Sequence, residues 1–252
     1  MTQQEALFQY LLRLGDNALI LGQRLSEWCG HAPVLEQDIA ITNLALDLIG
    51  QARNWLTLAG EVEGKGRNED QLAYLRDARD FHNLLLVEQP NEDWAHTIVR
   101  QFLFDQFNYL LHNELQHSTD ERVAAIAAKS LKEIKYHLKY SSEWMVRLGD
   151  GTEESHNRMQ RALDALWRYS SEAFLTDEID QLMAEAGIGP DLHKLEPLYH
   201  QYVAQVLDEA TLQPPTDTYM QRGGKQGLHT EFLGYILAEM QFLQRAYPNM
   251  QW

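Results

Sequence analysis

The chain has 252 residues, 44% of them hydrophobic and 10% aromatic, which is enough apolar material to bury a sizeable core. Its 37 Asp and Glu against 21 Lys and Arg leave a net charge of −16, and no basic stripe stands out, so a nucleic-acid partner is not expected. Cys29 is the single cysteine, excluding an internal disulfide or a Cys-rich metal motif; with no signal-peptide pattern and no run of about 18 apolar residues for a membrane span, a cytoplasmic, acidic, soluble protein is expected.

Gly and Pro punctuate long stretches with the three-and-four apolar spacing of helices. The first helix is expected over residues 2–28. It opens on a capping box, Thr2-Gln3-Gln4-Glu5, and presents Leu7, Leu11, Leu14, Ala18, Leu21 and Leu25 on one face. The second is expected over residues 34–59, stopping before Gly60. Residues 61–91 are too long for a hairpin turn and carry a short helix within NEDQLAYLRDARDFHNLLLV. Residues 91–148 hold no Gly or Pro. The capping-box pattern Ser118-Thr119-Asp120-Glu121 divides them into helices over about 92–117 and 121–148. Further helices are expected over 153–186, with a break at Thr176, then 192–210 and 225–247. No alternating strand pattern competes, so the fold class is all-α. Two antiparallel pairs joined by one long crossover form a ferritin-like four-helix bundle. One domain over residues 1–252 is expected, with its core bundle at about 2–148 and additional helices at about 152–247.

Asp16, Asp47, Asp105 and Glu133 fall near the midpoints of the four long helices, at similar expected heights. A di-iron carboxylate bundle needs Glu-x-x-His on two of its helices. Here the third residue after Asp47 is Gly50, and the third after Glu133 is Tyr136. His137 lies about a quarter-turn round the helix from Tyr136 and does not replace it. Three acid-x-x-His spacings do occur, Asp93–His96, Glu114–His117 and Glu153–His156, but they sit at helix ends, where the helix dipole explains them. The quartet therefore reads as a degenerate metal site, neutralised by hydrogen bonds or by Lys and Arg. No catalytic residue is identified. Arg222-Gly223-Gly224-Lys225 lacks Walker spacing and reads as a flexible basic turn.

The stretches GDNALILGQRLSEWCGHAP, NLALDLIGQARNWL, HNELQHS and GLHTEFLGYILAEMQFLQRAYP, taken together, resemble the C-type component of the bacterial ring-1,2-phenylacetyl-CoA epoxidase (phenylacetate-CoA oxygenase) family, over essentially the whole chain. The resemblance implies a ferritin-like, non-catalytic subunit that binds no cofactor itself. It implies pairing, as a heterodimer or higher hetero-oligomer, with a homologous catalytic subunit that holds a di-iron centre. It also implies a separate reductase with flavin and an iron–sulfur cluster to supply electrons from NADPH, and epoxidation of the phenylacetyl-CoA ring as the reaction. Two other readings are an independent di-iron oxidase or oxygenase with unorthodox ligands, and a stand-alone acyl-CoA-binding helical scaffold. For contact with the CoA phosphates, the turn Arg76-Asp77-Ala78-Arg79 is one candidate, with salt bridges to Asp77, Asp80 or neighbours as the alternative. The first-turn amides of Asp177, Glu178 and Ile179 are a second.

Overall fold

The computed structural model describes residues 1–248 and Met250, and among these the protein is all-α, with ten helices and no strand. Two long helical hairpins joined by a long connection supply the elements of a ferritin-like bundle. The chain divides into two compact units, one made of Met1–Gln89 with the residues from Arg222 onward, the other of Pro90–Gln221.

In the first unit, α1 (Gln3–Ser26) and α2 (Leu35–Glu63) pack antiparallel. Gln4 Nε2 donates to the Val62 carbonyl at 2.6 Å, Gly15 faces Leu56, and Gly22 faces Ala45 to Ile49. The Thr2–Glu5 capping box opens α1 as its sequence predicts. Every residue from Tyr10 to Gly22 is buried, so the middle of α1 is enclosed all round and its polar side chains need internal partners. The second helix runs past Gly60, its expected stop, and ends at Gly64, whose φ of 69° forms a left-handed cap. Gly60 serves a close approach instead: a Cβ there would lie 2.2 Å from the Arg67 carbonyl oxygen. The short helix α3 (Glu69–Tyr74) is closed at its start by an Asn68–Gln71 capping box and is followed by one 3-10 turn, Ala78–Asp80.

The expected helix over 225–247 is instead interrupted. Gly223 and Gly227, with φ of 137° and 74°, turn the chain around Lys225 before α9 (Glu231–Met240) and α10 (Phe242–Ala246) form. This turn is closely packed rather than flexible: a Cβ on Gly224 would lie 2.1 Å from the Asn83 carbonyl oxygen, and Lys225 is buried.

In the second unit, α4 (Trp94–Leu115) and α5 (Glu121–Gly149) form the long hairpin, and α6 (Glu153–Leu166) and α8 (Leu192–Glu209) each pack against both. The α5 N-cap is Asp120 rather than Ser118: its carboxylate accepts the Arg122 amide at 3.0 Å, while Ser118 Oγ accepts the Asp120 amide. The expected break at Thr176 is present but wider. Two 3-10 turns, Trp167–Tyr169 and Glu172–Phe174, precede α7 (Glu178–Glu185).

Candidate functional site

The two carboxylates that lie deepest in the long hairpins are handled by different chemistry. Asp16, on the enclosed part of α1, is fully buried. Arg76 reaches it from the connection after α3 with both terminal guanidinium nitrogens, one at 3.0 Å from Oδ2, and the His82 amide donates to the same oxygen at 2.9 Å. Arg76 also donates to the carbonyls of Leu72 and Asp80, and its guanidinium lies 4.2 Å from the Phe81 ring centre. A buried ion of each sign is thereby paired, and nearly every remaining donor is satisfied. Burial pushes the His82 imidazole below its ordinary pKa, against the pull of Asp16.

A second buried carboxylate, Glu88, ties the C-terminal segment to the same connection. It accepts from Asn83 at 2.9 Å, from His229 Nδ1 at 2.8 Å, and from the Thr230 amide and hydroxyl at 2.6 and 2.7 Å. His229 Nε2 faces the Phe81 carbonyl oxygen at 2.8 Å. Both ring nitrogens thus face acceptors, an arrangement satisfied fully only by the imidazolium. Burial opposes that charge, but Glu88, the Phe81 carbonyl and Asp16 together outweigh it and the His229 pKa is raised. Gln241 and Arg245 add bonds to the Arg76 carbonyl at 3.0 and 2.8 Å, so the C-terminal helices cap the stretch of chain that delivers Arg76.

Asp105, on α4, is also fully buried, and among the described residues no Arg or Lys pairs with it. Gln101 Nε2 donates to it at 2.7 Å and the Ser141 hydroxyl at 2.8 Å, and buried His137 of α5 favours its ionised form electrostatically. Burial dominates over these three, and the carboxyl pKa is pushed up to about 7. His112 is buried with Nδ1 at 2.9 Å from the Asn108 carbonyl, and burial pushes its pKa down to about 4.

The expected acidic quartet is not assembled at one height even within each hairpin. Asp47 is half-buried and level with Gly22, six residues from Asp16, or about 9 Å along the axis. Glu133 is half-buried and eight residues before Ser141, about 12 Å from the level of Asp105. Gly50 is exposed with open space where its Cβ would be, and Tyr136 is 53% exposed, so neither position faces a buried carboxylate. The residues present do not fit a di-iron ligand set. Among the described residues no group of three or more His, Cys, Asp or Glu is arranged to hold a metal ion. The acid-x-x-His pairs serve helix ends: Asp93 caps α4 and takes His96 Nδ1 at 2.8 Å, His156 Nδ1 faces the Gly149 carbonyl, and Glu114 and His117 are exposed.

Two substrate-binding expectations need correction. Arg76 and Arg79 do not share a helix, because α3 ends at Tyr74, and Arg76 is consumed by Asp16, 60 residues away, rather than by Asp77 or another neighbouring carboxylate. Arg79 alone of the pair is exposed. Asp77 and Ala78 line an open groove of about 540 Å³ with α9 and α10, where Asp77 pairs with Arg245 at 2.9 Å. At α7 the carboxylate of Asp177 itself accepts the Ile179 and Asp180 amides, so that first turn does not present Asp177, Glu178 and Ile179 as an open anion site. His137, Ser141 and Gln101 were not legible as partners of Asp105. A helical spacing of four from Gln101 and the apolar phase of His137 on α5 are the only local traces.

The whole chain, residues 1–252, matches the family model described as phenylacetic acid catabolic protein. It is 52% identical over 243 residues, 96% of this chain and 98% of the relative, to the C subunit of 1,2-phenylacetyl-CoA epoxidase from Escherichia coli (strain K12).

Proposed function

Because the chain belongs to the phenylacetic acid catabolic protein family, we propose that it is a structural, non-catalytic subunit of a multicomponent di-iron monooxygenase that epoxidises the ring of phenylacetyl-CoA in aerobic phenylacetate degradation. The observation that carries this reading is the fate of Asp16: the one fully buried carboxylate of the first hairpin is held by Arg76, an ion pair in the place where a catalytic subunit would need a metal ligand. The di-iron group, held by a homologous catalytic subunit, supplies the oxygen chemistry. This chain supplies a rigid partner surface, in the cytoplasm, and a separate reductase supplies electrons.

The outer face of α2 suits a lasting partner. Leu35, Ile39 and Leu46 are 71%, 55% and 61% exposed and follow helical spacing that continues to Gly50. Apolar stripes of this kind are typical of surfaces that stay covered. Contact with the CoA end of the substrate falls to Arg79, the exposed member of its pair.

Co-expression with the homologous catalytic subunit, followed by size-exclusion chromatography and iron analysis of each species, tests the proposal. A co-eluting complex with iron, and an isolated chain with less than about 0.1 iron, is the expected result. Stoichiometric iron in the isolated chain favours the independent oxidase; a chain that binds acyl-CoA by itself without joining the catalytic subunit favours the scaffold.

A further inference from the structure

The outward face of α5 departs from the rest of this acidic surface. Four of the chain's seven lysines, Lys129, Lys132, Lys135 and Lys139, fall within eleven residues at spacings of three, three and four, and all four are exposed. That spacing aligns them along one face of a helix. Tyr136, 53% exposed, sits among them one turn from Lys132. The only acidic residue between Lys129 and Lys139 is Glu133, which is half-buried.

Several exposed cations elsewhere lie beside carboxylates. Lys65 lies 3.4 Å from Glu63, Lys194 lies 3.8 Å from Asp191, and Arg158 lies 2.7 Å from Glu154. Within the stripe, Lys139 reaches Glu143 at 3.8 Å, while Lys129, Lys132 and Lys135 make no ion pair among the described residues. Net charge, which gives no sign of a basic stripe, averages over the faces of a helix and so conceals this one.

We infer that the Lys129–Lys139 face of α5 is the docking surface for a carboxylate-rich face on the electron-donating component of the complex. This rests on the proposed function. Inserting one atom of O2 into an aromatic ring as an epoxide, with the second atom leaving as water, consumes two electrons and two protons, so a donor must bind and leave in every turnover. Complexes of that kind are small and charge-steered, and their affinity falls with salt. Lysine is depleted from the cores of lasting interfaces, which separates this face from the apolar stripe of α2. A convex helix face offers no pocket for a small anion. A nucleic-acid duplex long enough to cover the stripe would also meet the carboxylates of a chain with net charge −16.

The test uses the assembled pair of this chain and the catalytic subunit, with the purified reductase component as probe. Binding is measured at about 50 mM and about 300 mM salt. One variant carries Lys129→Glu, Lys132→Glu, Lys135→Glu and Lys139→Glu, a second carries the same four changes to Gln, and a control carries Lys65→Glu and Lys194→Glu. At low salt Kd should weaken at least about tenfold in the Glu variant and about threefold in the Gln variant, and change less than about twofold in the control. The wild-type affinity should fall at the higher salt. Binding within twofold of wild type in both stripe variants overturns the inference, as does a wild-type pair that does not bind the reductase. A Gln variant that no longer co-elutes with its catalytic partner also overturns it, by placing the stripe in the lasting interface. So does loss of binding to a duplex DNA probe while reductase binding is unchanged. Failure of the wild-type chain to co-elute with that partner is a separate result: it removes the proposed function, and this inference with it.

Discussion

Asp16 in the first unit and Asp105 in the second are both mid-helix and both fully buried, yet they are stabilised in different ways. Asp16 is held as an ion by a guanidinium and an amide delivered by the connection after α3. Asp105 has only an amide, a hydroxyl and the neighbourhood of His137, and its proton is lost near neutrality. The difference teaches that a buried carboxylate by itself says little about chemistry. What the tertiary structure sends to meet it decides whether it is a fixed charge, a titrating group or a ligand.

The sharpest way to break the comparison is Arg76→Met. It leaves Asp16 buried without its counter-ion and should cost about 3–5 kcal/mol in urea unfolding, while Asp16→Asn with Arg76→Met should recover much of the loss. A cost below about 1 kcal/mol for the single change would mean that the ion pair is not what fixes α1 to the connection.

Asp105→Asn should behave in the opposite sense and depend on pH. The folded pKa of Asp105 lies above its ordinary value, so its contribution is fully present below about pH 4 and is lost as pH rises towards about 7. The stability of Asp105→Asn relative to the wild type should therefore rise across that window, by on the order of 4 kcal/mol in full and about 3 kcal/mol between pH 5 and 8, and level off above it. His112 contributes the reverse slope, since its depressed pKa means stability that is present above about pH 6.5 and lost as pH falls through about 4. That slope is common to both proteins and cancels in their difference. Urea midpoints at pH 5, 6, 7 and 8 provide the measurement, and a flat difference would sink the assignment.

Ser141→Ala should cost about 1–2 kcal/mol at pH 8, where Asp105 is ionised, and less at pH 5. The smallest effect is expected from Gly50→His with Tyr136→His, which writes the missing imidazoles back into the sequence. Both positions face outward, so stability should change by less than about 0.5 kcal/mol and the chain should still bind no iron. Iron uptake by this variant would show that the quartet is closer to assembled than its heights imply.

Much of the fold was legible because its signals are local. The Thr2–Glu5 box starts α1, the break between α4 and α5 falls at residues 116–120, and α8 starts at Leu192, all as read from caps, spacing and breakers. The errors came where a glycine has a packing role or where the chain turns for tertiary reasons. Gly60 does not stop α2, because it is there to admit the Arg67 carbonyl. The C-terminal helix is broken because residues 223–227 must fit against Asn83 and Arg79. The candidate site was half legible. Missing imidazoles after Asp47 and Glu133 are visible in the sequence, but Arg76 reads there as a surface cation for a ligand and is instead a buried partner.

The sequence by itself determined the all-α class, the long hairpin helices, the absence of a ligand at Gly50, and a resemblance that the family match supports over the full length. These follow from periodicity, caps and residue identity within a few positions of one another. Only the tertiary structure decided that Arg76 belongs to Asp16 and His229 to Glu88, pairs separated by 60 and 141 residues. It alone also decided that three lysines of α5 stand exposed with no ion pair among the described residues. Pairings across such separations are chosen by which faces pack together, and that choice is made by the burial of the whole core rather than by any local segment.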